Sequence, residues 1–259
     1  MTVRADDGDV AVEVDPDAGA RLTSLRFFGH EVLTTETLDG VPESITRGSY
    51  PMVPWAGRIG HGRLERHGQV WELPTESDGH ALHGLGRDLA WNQDGPLAFS
   101  VDIGEPWPVS GTAGLDYALG PDRLHARLRW DGEGPGASLG FHPWFRREID
   151  DVHAELEVEP LDQLQRGSDG LPTGRVVPPS AQPWDDCFTL AGPPRIVWPD
   201  VLALTLYADT DFWVIFTEPD HALCVEPQTA PPDAFSHPRW QSYLQARELR
   251  FTIVAESLR

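Results

Sequence analysis

The chain has 259 residues, a formal net charge of −21 and a hydrophobic content of 40%. An acidic surface repels nucleic acid and anionic membranes, and no apolar run approaches the ~20 residues of a membrane-spanning helix. What remains is a soluble globular protein with a sizeable core, and its length suits one large all-β domain over residues 1–259.

All 20 basic residues are arginine, and only two cysteines occur, Cys187 and Cys224. They form no close Cys-x-x-Cys pair, so two reduced, buried thiols are expected. Met1–Asp7 lacks the apolar stretch of a secretory signal, which gives a cytoplasmic expectation. The acidic balance favours a neutral or cationic small ligand over a highly phosphorylated one. A monomer or homodimer is expected, with no nucleic acid or membrane partner.

Taken in chain order, the dominant period is two. Val10–Val14 and Gln69–Leu73 alternate apolar and polar residues, and Arg123–Trp130 and Val152–Val158 repeat the pattern over longer runs. Alternation places one strand face on a core and the other in water. Phe212–Phe216 is continuously apolar and predicts a strand covered on both faces, and Leu249–Ala255 predicts a last strand. Gly- and Pro-rich breakers separate these runs, and the best helical stretch is short, around Arg239–Ala246. Many short strands with turn signals between them predict a large antiparallel β-sandwich with few short helices.

Against this background, a few ionisable residues stand in apolar frames. In Pro51–Gly62, prolines and glycines fix a loop that presents Arg58, whose planar donor fork suits neighbouring hydroxyls or a carboxylate. In His80-Ala81-Leu82-His83-Gly84 the two histidines should face opposite ways on a strand, and His83, held against glycine, is the better candidate. His142 lies in Phe141-His142-Pro143-Trp144-Phe145; Pro143 favours an extended backbone, and three aromatics would wall off water. Aromatic faces such as Trp144 also stack on the C–H face of a sugar ring. Trp184-Asp185-Asp186-Cys187-Phe188 sets two acids in an apolar frame, as hydroxyl acceptors or as turn caps. Glu226, in Leu223-Cys224-Val225-Glu226-Pro227-Gln228, reads as the end of an apolar strand; buried, its pKa would rise toward the range of a general base. An acid and a base facing each other are what proton transfer on a neutral substrate requires.

In this order, Pro54-Trp55-Ala56-Gly57-Arg58-Ile59, Leu82-His83-Gly84, His142-Pro143-Trp144-Phe145, Asp185-Asp186-Cys187-Phe188 and Val225-Glu226-Pro227-Gln228 resemble the aldose 1-epimerase (mutarotase) family. The resemblance implies a galactose mutarotase-like supersandwich with an open sugar-binding cleft, and neither metal nor organic cofactor. It implies Glu226 as the base that takes the anomeric O1 proton and His142 as the acid that protonates the ring oxygen O5. It further implies Arg58, His83 and Asp185 as sugar-binding residues, and the same motifs add Trp144 and Gln228. Many members carry Asn where this chain has Gly57, which removes a hydroxyl partner and weakens the case for galactose.

Three other readings make different demands. A hexose-6-phosphate 1-epimerase needs a cationic pocket, with Arg47, Arg63 and Arg87 near the motifs. A non-catalytic carbohydrate-binding protein has no use for an acid–base pair. A metal site would draw on His80 or His83 with His142 and Glu226.

Overall fold

Most of the alternating segments pair into two stacked antiparallel sheets in the computed structural model, which describes residues 2–35, 45–66, 68–134 and 136–259, whereas Gln69–Glu72 lies outside both and pairs with Arg63–Arg66 as a mostly exposed hairpin. The larger sheet has eleven strands. Its path runs Val3–Asp6, Val10–Asp15, Arg21–Phe27, Ser49–Met52, Gly140–Arg146, Ala222–Gln228, Phe212–Phe216, Asp185–Leu190, Pro160–Arg166 and Pro172–Val177, with His30–Glu31 beside Arg21–Phe27. The smaller sheet runs Asn92–Gly95, Ala98–Ile103, Gly111–Gly120, Arg123–Trp130, Glu248–Ser257, Leu202–Ala208, Arg195–Trp198 and Glu155–Glu157. The all-β antiparallel sandwich expected from the sequence is therefore the fold, and its helical segments are short 3₁₀ turns.

The strand Arg123–Trp130 shows why the pattern dictates the layer. Leu124, Ala126, Leu128 and Trp130 are buried, while His125, Arg127 and Arg129 face water. Arg127 and Arg129 pair there with Glu248 and Asp116 of the flanking strands. Between the sheets, Phe141 stacks on Phe251 at 5.6 Å, and Trp213 meets the same ring edge-on at 6.4 Å. Phe141 and Trp213 belong to the larger sheet and Phe251 to the smaller, so these rings join the two layers through one core.

Two further expected elements differ in detail. The alternating run Val152–Val158 is not one strand: Val152–His153 pairs locally with Glu148–Ile149, and Glu155–Glu157 joins the edge of the smaller sheet. Between them the Ala154 N–H bonds to Arg147, which breaks the extended run. The stretch near Arg239 is a 3₁₀ segment, Pro238–Leu244, with proline at its start. No helix among the described residues is long and apolar enough to cross a membrane. Cys187 and Cys224 are buried and unbridged.

The centre of the larger sheet is covered on both faces. Along Gly140–Arg146 and Ala222–Gln228, Phe141, Phe145, Leu223 and Val225 enter the core between the sheets. The alternate residues His142, Trp144, Cys224, Glu226 and Gln228 point to the opposite face, following the period of two.

Candidate functional site

That opposite face carries a cavity of about 300 Å³, at the small end of the range for ligand sites. Arg58, His83, His142, Trp144, Asp185, Glu226 and Gln228 all line it, so the fold brings together the seven residues proposed for the acid–base and sugar-binding site. The sequence suggested that Glu226 ends a strand. Instead Glu226, like His142, lies inside a central strand of seven residues. The two strands pair at Gly140↔Gln228 and Trp144↔Cys224 and open between those points. Pro143 and Pro227 fall in the gap, where the absence of two N–H donors weakens the ladder. His142 Nε2 lies 3.3 Å from Glu226 Oε1 across this opening.

The walls around His142 also differ from expectation. Phe141 and Phe145 face the inter-sheet core, so only Trp144 of the three neighbouring aromatics covers the imidazole, stacked at 5.2 Å and 9°. The second wall is Tyr50, directly opposite on the neighbouring strand, stacked at 4.9 Å. Behind Tyr50, the Arg21 guanidinium lies 4.6 Å from the ring centroid. The imidazole is clamped between two ring faces, and Tyr50 could not be assigned to it without knowing that Ser49–Met52 pairs with Gly140–Arg146.

Two loops complete the rim. Arg58 pairs with Leu82 in a two-residue ladder, and the His83 N–H donates to the Gly57 carbonyl at 2.9 Å. His83 has a positive φ of 58°, and Gly84 follows with φ 77° packed against the Val53 backbone. This left-handed turn, rather than strand alternation, aims His83 edge-on at His142 with 4.9 Å between centroids. Gly57 also has a positive φ, and a Cβ there would come within 2.8 Å of Pro232. The position that holds Asn in many relatives thus has no room here for a side chain. Arg58 Nε donates to Asp78 at 2.9 Å.

His80 is turned away from the cavity. Its Nδ1 accepts the His61 N–H at 3.0 Å, and its Nε2 sits 2.9 Å from the Asp169 carbonyl. It therefore does not join a metal set with His142 and Glu226.

On the far side, Asp185 bonds to Arg166, a cavity residue that the sequence reading missed because nothing in Pro160–Arg166 distinguishes it from other arginines. Asp186 also lines the cavity, 3.8 Å from the same guanidinium. Both acids lie within the strand Asp185–Leu190 rather than capping a turn. Gln228 Nε2 donates to Glu226 Oε2 at 3.2 Å, which orients the carboxylate. The arginines proposed for a phosphate pocket lie elsewhere. Arg63 pairs with Glu65, Arg87 is buried against Glu76 and Asp88, and none of Arg47, Arg63 and Arg87 lines the cavity.

Burial governs the electrostatics. Glu226 is held well above the ordinary carboxylate range, first by burial and then by the charge of Asp185, with the Gln228 bond and Arg58 opposing. His142 is pushed down to about 3 by burial, with Arg21 and Arg87 adding to the effect. His83 is lowered well below 6.5 by burial and by His142. All three groups thus favour their neutral forms. Two buried titratable groups with atoms 3.3 Å apart have the geometry to give and take a proton at one point of the cavity.

The fold and the site together define an antiparallel β-sandwich whose central strands present a buried histidine–glutamate pair to a cavity. The family profile described as "Aldose 1-epimerase" matches residues 1–234, and the chain belongs to that family. Solved structures show the same fold. One from Escherichia coli K12 superposes with a TM-score of 0.82 at 18% identity, covering 100% of this chain and 99% of the other. A galactose mutarotase-like protein from Clostridium acetobutylicum gives 0.82 at 15% identity, with 98% and 94% covered. A GalM/aldose epimerase homologue from Caenorhabditis elegans gives 0.79 at 16% identity, with 100% and 99% covered. No curated protein sequence matches the chain.

Proposed function

We propose that the chain interconverts the α and β anomers of a free hexose by opening and reclosing the ring. The observation that carries this reading is the 3.3 Å contact between His142 Nε2 and Glu226 Oε1 on the floor of a cavity. The two oxygens that exchange a proton in mutarotation are both bonded to one carbon, so donor and acceptor atoms must also be neighbours.

In the reactive form, Glu226 is a carboxylate and His142 an imidazolium. Glu226 takes the proton from the O1 hydroxyl while His142 gives its proton to O5. The C1–O5 bond breaks, C1 becomes an aldehyde carbon, and the pair ends as a carboxylic acid and a neutral imidazole. That end state is the one burial favours, so opening the ring relieves two buried charges. Rotation about C1–C2 presents the other carbonyl face. His142 then takes back the O5 proton as O5 adds to C1, and Glu226 returns its proton to O1. The pair carries one proton before and after the cycle. Positioned proton transfer of this kind contributes roughly 10²–10⁴-fold per group.

His83 and Arg58 are placed to hold the ring-oxygen side, and Asp185 with Arg166 to bind hydroxyls, while Trp144 offers a flat apolar wall. The two arginines that reach the cavity are already paired, Arg58 with Asp78 and Arg166 with Asp185. This leaves little free positive charge for a sugar phosphate and supports a free aldose. Anomer interconversion, measured across a panel of free and 6-phosphorylated aldoses, tests the reading. Faster equilibration of free hexoses is expected; a preference for the phosphates would overturn the substrate assignment.

A further inference from the structure

We propose that His142, Cys224 and Glu226 form a three-ligand site for a zinc ion, and that zinc bound there shuts the acid–base pair down. The inhibitory half rests on the epimerase reading above, whereas the binding half stands on geometry alone. The three side chains are buried, and one ligand atom from each lies within 4.8 Å of the others. They come from two adjacent central strands. Cys224 and Glu226 are two residues apart and so share a face, and Cys224 pairs with Trp144, two residues beyond His142. A sheet centre is a stiff frame for such a set.

The dimensions fit with small side-chain adjustments. Zinc takes nitrogen and carboxylate oxygen at ~2.0–2.2 Å and sulfur at ~2.3 Å in a tetrahedron, so neighbouring ligand atoms sit roughly 3.3–3.8 Å apart. The His142–Glu226 separation of 3.3 Å already lies in that window. With all three ligand atoms within 4.8 Å of one another, the widest separation closes by at most about 1 Å to reach the same edge. His142 and Glu226 stand on the cavity lining and Cys224 beneath it, which leaves the fourth position facing the cavity.

The chemistry of the donors points to zinc rather than magnesium or calcium. A thiolate and an imidazole select a borderline-soft ion over hard ones. One thiolate, one carboxylate and one neutral imidazole also balance a divalent charge, so the complex would bury no net charge beneath the cavity floor. The chain's formal charge of −21 attracts cations to the molecule. A bound zinc would occupy His142 Nε2 and Glu226 Oε1, the same atoms through which the proton moves. Sugar turnover and zinc binding at this site are therefore mutually exclusive.

The test uses the full chain stripped with a chelator and titrated with zinc chloride by calorimetry, with cobalt(II) as an optical probe. One ion per chain is expected, together with a thiolate-to-cobalt charge-transfer band. Outer-shell partners of metal ligands are worth 10–100-fold in affinity, so removing a ligand in Cys224→Ala should weaken zinc by more than about 100-fold and abolish the band. Cys224→Ser, closer in size, serves as the second variant if the alanine chain fails to fold. In the activity arm, zinc should stop mutarotation by the wild type, EDTA should restore it, and Cys224→Ala should turn over normally and ignore zinc. Equal zinc affinity in wild type and Cys224 variants, or no charge-transfer band, overturns the site. Intact Cys224-dependent binding in a chain with no mutarotase activity would keep the site and overturn only the inhibitory half.

Discussion

Two hollows on this molecule invite comparison. The larger, about 570 Å³, is a groove lined by residues that include Leu161, Val176, Tyr207, Arg239 and Tyr243. The smaller, about 300 Å³, holds His142 and Glu226. The groove has more room, and Leu161, Val176, Tyr207 and Tyr243 on its lining are exposed to solvent. Its acids, Asp162 and Asp211, are not among the buried polar residues. The smaller cavity instead holds His83, His142 and Glu226, all buried and driven toward their neutral forms. Volume alone thus says little about chemistry; titratable groups withdrawn from water and set within proton-transfer distance say much more.

The sharpest contrast comes from exchanging the acid. His142→Gln should lower enzyme-dependent mutarotation by roughly 10²–10⁴-fold with an unchanged circular dichroism spectrum. A near-wild-type rate would dissolve the distinction between the two hollows. Next in size is the hydroxyl-binding side. Asp185→Asn, which also frees Arg166, should raise KM about 10-fold or more and leave kcat less affected, as expected for a lost hydrogen bond to a charged group. A loss confined to kcat would move Asp185 from binding into the proton relay.

Burial also carries a stability signature. Glu226 has a folded pKa above its unfolded value, so below about pH 4.5 both states hold the proton and it costs nothing. As pH rises past that point the unfolded chain ionises first, and the folded state loses relative stability. Glu226→Gln escapes this, so its melting temperature should exceed that of the wild type near pH 8 and match it near pH 4. His142, lowered to about 3, works in the opposite direction: folded stability falls as pH drops below about 6.5, where the unfolded imidazole begins to protonate. Parallel melting curves for wild type and Glu226→Gln at both pH values would show that Glu226 is not held protonated. The smallest effect belongs to the groove. Tyr243→Ala, which removes an edge-on contact with Phe212 at 4.8 Å, should cost about 0.5–1.5 kcal/mol of stability and leave mutarotation unaltered.

Much of this arrangement is legible in the sequence. Strict alternation in Arg123–Trp130 gave a half-buried strand, and the apolar run Phe212–Phe216 gave one covered on both faces, because each pattern reports directly on burial. All seven proposed site residues reach one cavity because each sits in a motif whose prolines, glycines or aromatics set the local backbone. The partners supplied by other strands were not legible. Tyr50 meets His142 only through the pairing of Ser49–Met52 with Gly140–Arg146, and Arg166 meets Asp185 only because Pro160–Arg166 lies beside Asp185–Leu190. Such neighbours depend on strand order, which periodicity does not encode. The placement of Glu226 at a strand end failed for a related reason: Pro227 reads as a terminator, yet a central strand tolerates it where the facing ladder opens at Pro143.

The decisive measurement is polarimetry of freshly dissolved α-glucose with wild type and Glu226→Gln, alongside calorimetric binding of the same sugar. If Glu226 accepts the O1 proton, the variant should bind glucose with an affinity close to that of the wild type and fail to speed anomer equilibration. Equilibration at the wild-type rate in the variant would remove the carboxylate from the reaction and leave the 3.3 Å pair a purely structural contact.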